Sequence, residues 1–305
     1  MMALNGGVFQ CLSHLVVEVG DLDAAEAFYR DGLGLQPIGR DAWPDAGANA
    51  VLKAGDQHLV LSRKANRPDL SATGVHQGYR IGARGREEVR GRLQRLGVTV
   101  ETYHEDRPAE ARDNFYAFDP SGNRVQLVVD PRLDDGPGVA GIDHACVQDY
   151  DLQWAQEFYG GMLGLALDHV TGLHTDDYLR AQAWGDDREA MAPGCCRRVK
   201  YYREIPGQNR MQPRPSLQMY FRAGSGVIGV YMSMEDYAEP PEEQLIGTPR
   251  TAVRVAAGGL DAVARALEAR ARPFHGPVDH GGNGAVGRSL YSRDTGGNFI
   301  EFCEA

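Results

Sequence analysis

Along the last stretch of the chain, apolar and polar side chains alternate with a period of two. In Phe299-Ile-Glu-Phe-Cys303, Ile300 and Phe302 point to one face, and Phe299, Glu301 and Cys303 to the other. The pattern predicts a strand. Before it come a turn, Asp294-Thr-Gly-Gly-Asn298, and a short strand at 289–291. A carboxylate among apolar neighbours is costly unless it is paired or holds a metal, so Glu301 is a candidate for chemistry. Elsewhere the period is helical. Val89, Leu93 and Leu96 form one stripe; Leu152, Ala155, Phe158 and Tyr159 form a second; Leu260, Val263, Ala264 and Leu267 form a third. Helices are expected over 21–31, 86–96, 151–163 and 260–271, with Asp21 as an N-cap and Gly32 and Gly97 as stops. Strands are expected at 12–19, 50–53, 58–62, 98–103, 114–118 and 124–129.

These elements repeat. His14, Tyr29 and Leu35 recur as His144, Tyr159 and Leu165, each 130 positions on. Tyr116, Asp119, Gly122 and Gln126 recur as Tyr291, Asp294, Gly297 and Glu301, each 175 positions on. Constant offsets over several residue types mark a duplication. Within each copy the pattern restarts, the first time at His76, so each quarter reads as strand, helix and three strands. The expected division is 1–132, a linker at 133–138 rich in Asp, Gly and Pro, and 139–305. Leu165 to Gly229 spans 64 positions where Leu35 to Val60 spans 25, which places an insertion at about 172–215. It carries Trp184, Cys195, Cys196, Tyr201 and Tyr202 among several basic residues. Such a loop either closes a pocket or packs against a neighbour.

Composition narrows the class. With 305 residues the chain is long enough for two domains, and its apolar and charged fractions are those of a globular protein. A net charge of −10 argues against a nucleic-acid partner. No apolar run is long enough for a membrane span, and residues 1–7 do not read as a signal peptide. The five cysteines form no CxxC pair, so the expected setting is reduced and cytoplasmic.

A βαβββ unit used four times, with His on a first strand and Glu in the final strand of a Gly-Asn-x-x-Glu pattern, resembles the vicinal oxygen chelate superfamily. That group includes glyoxalase I, extradiol dioxygenases, fosfomycin-resistance enzymes and bleomycin-resistance proteins. The resemblance implies an α+β fold of four βαβββ modules paired into two curved, incomplete barrels. Open strand edges make a homo-oligomer plausible. It also implies a divalent metal, Fe(II) foremost with Zn, Ni or Mn as alternatives, and a small-molecule substrate with adjacent oxygens. By position, the metal ligands implied are His14, His76 and Gln126 in the first half, beside Val60, and His144 and Glu301 in the second, beside Gly229. Tyr291 aligns with a substrate-binding tyrosine and His280 with an acid–base histidine.

Arg250 departs from this pattern, because it stands where a second histidine ligand is expected. A guanidinium stays protonated and cannot ligate a metal. Three roles remain open: a bystander to a metal site completed by another histidine, His275 or His280; an ion-pair partner for Glu301 in place of a metal; or a grip on an anionic substrate. The functions implied are an extradiol-type dioxygenase, a glyoxalase-type isomerase or lyase, or a metal-free binder of a small toxin or antibiotic.

Overall fold

The computed structural model describes residues 4, 6–43, 45–67, 70, 74–102, 114–133, 136, 138–171, 218–233, 240–281 and 285–305. The insertion, with Cys195, Cys196 and the basic and aromatic residues around them, lies outside the described residues.

Four modules follow one another. The first contains β1 (Phe9–Val19), α1 (Leu22–Ala27), β2 (Gln36–Arg40), β3 (Asn49–Ala54) and β4 (Gln57–Arg63). The second contains β5 (His76–Ile81), α2 (Ala83–Arg95), β6 (Val100–Thr102), β7 (Phe115–Phe118) and β8 (Arg124–Val129). The third contains β9 (Val139–Asp149), α3 (Leu152–Ala155), β10 (Ala166–Thr171), β11 (Gln218–Ala223) and β12 (Gly226–Met232). The fourth contains β13 (Arg250–Val255), α4 (Gly259–Glu268), β14 (Phe274–Asp279), β15 (Arg288–Arg293) and β16 (Phe299–Glu304). The fold is the α+β arrangement of two curved sheets that the family resemblance implies.

The modules pair across the repeat, not within it. One sheet runs β14-β15-β16-β13-β1-β4-β3-β2 and joins the first module to the fourth. The other runs β10-β11-β12-β9-β5-β8-β7-β6 and joins the third to the second. The two long first strands make these joins: β1 lies antiparallel to β13, and β9 antiparallel to β5. The expected ligand sets, taken half by half, therefore exchange partners. His14 shares a sheet with Arg250 and Glu301, and His76 and Gln126 share one with His144.

Helices and turns, in contrast, tie neighbouring modules of one half together. Arg92 of α2 donates to the carbonyls of Gly32 and Leu33 at 3.0 and 3.2 Å. A Cβ on Gly32 would meet Leu93 at 2.8 Å, so that glycine serves helix packing and not termination. The stop is Gly34, whose φ of 84° favours glycine. Asp21 caps α1 as expected, accepting from the backbone N–H groups of Asp23 and Ala24. Past Ala27 the helix widens into a π segment, Phe28–Leu33, in which the consecutive rings of Phe28 and Tyr29 are both buried. A π segment, Gln156–Met162, buries Phe158 and Tyr159 in the same way.

The repeated Asp-to-Asn turns are docking devices. Asn123 donates to the Glu18 carbonyl of β1, and Asn298 to the Gln148 carbonyl of β9. Tyr29 donates to Asp119 at 3.2 Å and Tyr159 to Asp294 at 2.6 Å. Among the described residues no helix is long and apolar enough to cross a membrane.

Candidate metal centre

Each sheet carries one polar cluster where its two modules join, and register fixes the layout of both. In the first sheet His14 pairs with Ala252, which pairs with Glu301. In the next row Val60 pairs with Val16, and Val16 with Arg250. In the second sheet His144 pairs with Gly78, which pairs with Gln126. In its next row Gly229 pairs with Cys146, and Cys146 with His76. The clusters are counterparts: Arg250 stands where His76 does, Glu301 where Gln126 does, Val16 where Cys146 does, and Val60 where Gly229 does.

The first cluster is closed by its own charges. Glu301 Oε2 lies 3.1 Å from His14 Nε2 and 2.8 Å from Arg250 Nε. Ser289 donates to Glu301 Oε1 at 2.6 Å. Arg250 Nη2 reaches both carboxylate oxygens of Asp45 at 2.9 Å. Burial alone would push the Glu301 carboxyl up, but His14, Arg250 and Ser289 outweigh it and hold it at about 2. Burial opposes the charge on Arg250, and the two carboxylates restore it. The indole of Trp43 lies 4.5 Å from the His14 ring and packs over Val16, Ala46, Val51 and Val60. Of the three roles open for Arg250, the geometry has the ion pair. Tyr291 is buried and donates to Asp45 at 3.0 Å, with its hydroxyl 3.3 Å from His280 Nε2. Tyr291 and His280 thus come together at the edge of this cluster, while the His275 side chain is exposed.

The second cluster is arranged differently. His76 Nδ1 donates to the Gly74 carbonyl at 2.7 Å, and its Nε2 is hydrogen-bonded to the Gln126 side-chain amide, 3.1 Å from Oε1. His144 Nδ1 pairs with the Asp143 carboxylate at 2.7 Å. Its Nε2 is buried and has no hydrogen-bond partner. The two rings stand edge to face, 5.0 Å between centroids. Burial, followed by the nearby His144, pulls the His76 pKa down to about 3, so its imidazole is neutral. A histidine with one nitrogen held by a carbonyl or carboxylate and the other presented as a bare lone pair is arranged as a metal ligand is. His76, His144 and Cys146 bring their donor atoms within 4.8 Å of one another. An orphaned buried nitrogen and converging soft donors fit a divalent ion. His14, Glu301 and Cys303 also converge, but there Arg250 already supplies the cation.

Residues without a side chain make the room. A Cβ on Gly78 would fall 2.2 Å from the His144 ring, and one on Gly229 would fall 2.5 Å from Cys146 Sγ. Gly78→Ala is expected to displace the His144 imidazole, cost about 1–3 kcal/mol of stability and abolish metal uptake, read by metal analysis after dialysis. Unchanged uptake would show that His144 is not a ligand. Sequence reasoning passed over Gly78 and Cys146, although both were legible: each lies two residues from a candidate histidine, on the same strand face. Asp45 and Trp43 sit in a loop, where no periodicity marks them.

Residues 12–127 match the family model described as Glyoxalase/Bleomycin resistance protein/Dioxygenase superfamily. The glutathione transferase FosA of Serratia marcescens is 29% identical over 125 residues, covering 40% of this chain and 82% of that protein. Among solved structures, a "putative dioxygenase" from Bacillus subtilis subsp. subtilis str. 168 superposes with a TM-score of 0.63 at 12% identity, over 97% of this chain and 86% of the other. Glyoxalase I from Zea mays superposes with a TM-score of 0.56 at 16% identity, over 96% and 92%. These structural likenesses establish the shared fold across nearly the whole chain. Residues 12–127 thus resemble that superfamily in sequence, and nearly the whole chain shares the fold of these solved structures.

Proposed function

We propose that the chain is a divalent-metal-dependent enzyme acting on a small molecule with adjacent oxygens, and that its centre is in the second sheet. His76 and His144 would hold the ion, with the Gln126 amide oxygen as a weaker ligand. The observation that carries this reading is the buried, unpartnered Nε2 of His144, in a group whose histidine and cysteine donor atoms converge within 4.8 Å. Bound there, a divalent ion supplies Lewis-acid stabilisation of charge developing on substrate oxygens. The residues of the chain orient and insulate. Asp143 fixes the His144 tautomer, Gly74 fixes that of His76, and the ring of Tyr116, itself under Arg124, packs against His76. A cavity of about 180 Å³, lined largely by apolar groups, reaches His76, Arg124 and Cys146 of this cluster and Val16 and Arg250 of the other. It suits a small organic body.

The ligand set favours isomerase, lyase or transferase chemistry over ring cleavage by iron and dioxygen. Iron–dioxygen centres of this kind use two histidines and a carboxylate on one face. Among the described residues no carboxylate joins His76 and His144 as a ligand, since Asp143 faces Nδ1. Glu301, the carboxylate expected for that role, is in the other sheet and bound to Arg250.

Untagged protein is expected to bind about one divalent ion per chain. His76→Ala and His144→Ala should each lose it, while His14→Ala should keep it. Acetohydroxamate, which presents two adjacent oxygens, should bind the metal-loaded protein and not the stripped one in calorimetry. Metal binding indifferent to His76 and His144 would sink the proposal.

A further inference from the structure

Cys146 is the residue of the second cluster that neither the duplication nor the family resemblance assigns. It lies two residues beyond His144, on the same face of β9, and its backbone partner across the sheet is His76. Its counterpart in the first sheet is Val16, which packs against Val60. In the second sheet the place of Val60 is taken by Gly229. A side chain at position 229 would start 2.5 Å from Cys146 Sγ, so the thiol fills the space that residue 229 leaves. Cys146 is buried, and the Tyr220 side chain hydrogen-bonds it. The Cys146 sulfur and one ring nitrogen each of His76 and His144 lie within 4.8 Å of one another. Tetrahedral coordination, with metal–nitrogen bonds of about 2.0–2.1 Å and metal–sulfur bonds of about 2.3 Å, sets donors roughly 3.4–3.7 Å apart. Small side-chain rotations span the difference.

We infer that Cys146 is a metal ligand, occupying the coordination position that Gly229 vacates and making the centre a two-histidine, one-thiolate site with Gln126 as a weak fourth donor. This rests on the reading of the second cluster as a metal centre and sharpens it. Neutral imidazoles with a thiolate select a borderline or soft ion, so the site should take zinc or cobalt(II) in preference to manganese, magnesium or iron(II). On binding, the S–H bond of Cys146 breaks, a sulfur–metal bond forms and the proton goes to solvent. The thiolate also places one negative charge among otherwise neutral donors, as a carboxylate would, but with a softer atom.

The test is a cobalt(II) titration of metal-stripped protein. Native protein should show tetrahedral cobalt absorption in the visible and a sulfur-to-cobalt charge-transfer band in the near ultraviolet. It should release about one proton per ion bound at neutral pH. Zinc should displace the cobalt, and equimolar manganese should not. Cys146→Ser should lose the charge-transfer band and bind cobalt at least tenfold more weakly. The Cys195→Ser, Cys196→Ser double variant should keep the band, which excludes that pair as its source. Cobalt uptake without the band in native protein overturns the thiolate and leaves the metal centre standing, and that reading needs no variant to fold. A band that survives in Cys146→Ser likewise overturns it. No cobalt or zinc uptake by native protein overturns both readings.

Discussion

Arg250→Met is expected to destabilise the protein by about 3–5 kcal/mol at neutral pH, because it leaves buried negative charge unpaired. The guanidinium touches Glu301 on one side and both oxygens of Asp45 on the other. Glu301 is 1% exposed, so water cannot take over. Methionine approximates the aliphatic stem of arginine, and what remains of the loss is electrostatic. The pH dependence gives the cause away. In the native protein Glu301 is held at about 2, well below its ordinary value, and so contributes stability that is lost only as pH falls through that range. Without Arg250 two of its supports remain, His14 and Ser289, and burial then pushes the carboxyl up. The deficit should shrink as pH falls and Glu301 takes a proton. Urea unfolding between pH 5 and 8 reads this directly. Adding Glu301→Gln to the variant should recover most of the loss, since the acceptor for Ser289 stays and the charge goes. A double-mutant cycle with no coupling between positions 250 and 301 would refute the ion-pair account.

Much of this cluster could be anticipated from the sequence. Arg250 at a ligand position and Glu301 among apolar neighbours already raised an ion pair as one solution to the cost of burying both. The partner that completes it, Asp45, could not be anticipated. It reaches the site from the loop between β2 and β3, and loop residues carry no period. The modules themselves were legible because alternation in strands and stripes on helices are local properties. Which module pairs with which is not local. His14 and His76 both lie on the first strand of a module, and nothing within either strand says that one faces Glu301 and the other His144. The sheet register decides it. Half by half, His14 would have joined His76 and Gln126; across the repeat, His14 belongs to a closed ion-pair cluster and His76 to an open metal-like one.

The exchange also explains how one duplication supports two unlike sites. Each cluster draws one module from each half, so the two copies of a position end in different sheets and are free to diverge. His14 meets an arginine and a carboxylate; its copy His144 meets a histidine and an amide. Val60 seals one cluster beneath Trp43, while Gly229 opens the other to a thiol. The first cluster spends its charges on stability, and the second leaves the buried His144 Nε2 without a partner.

Divergence of the same kind predicts a second large effect, on pH. Position 19 is Val in the first repeat; its copy, 130 residues on, is Asp149. Both sites are fully buried. Burial, followed by repulsion from Asp294, pushes the Asp149 carboxyl up to about 8. It accepts from the backbone N–H of Asp151 at 3.1 Å and from the Thr295 hydroxyl, and these contacts only partly offset the rise. The sign follows from proton counting. Between the ordinary Asp range and about pH 8 the folded chain holds a proton that the unfolded chain has lost. Stability therefore falls as pH rises, by at most about 1.4 kcal/mol per pH unit for this one group. The fall from pH 5 to 8 should amount to several kcal/mol, on the order of 3–4. Asp149→Asn keeps the oxygen that accepts from the Asp151 N–H, and its amide N–H, in place of the second oxygen, can donate to the Thr295 hydroxyl oxygen as a carboxyl proton would. The variant should match the native protein near pH 5, exceed it at pH 8, and lose most of the slope. Urea midpoints measured across that window decide the matter: parallel curves for the two proteins would mean that Asp149 does not titrate there, and that the cost of burying a carboxylate beside Asp294 is met by contacts other than Asp151 and Thr295.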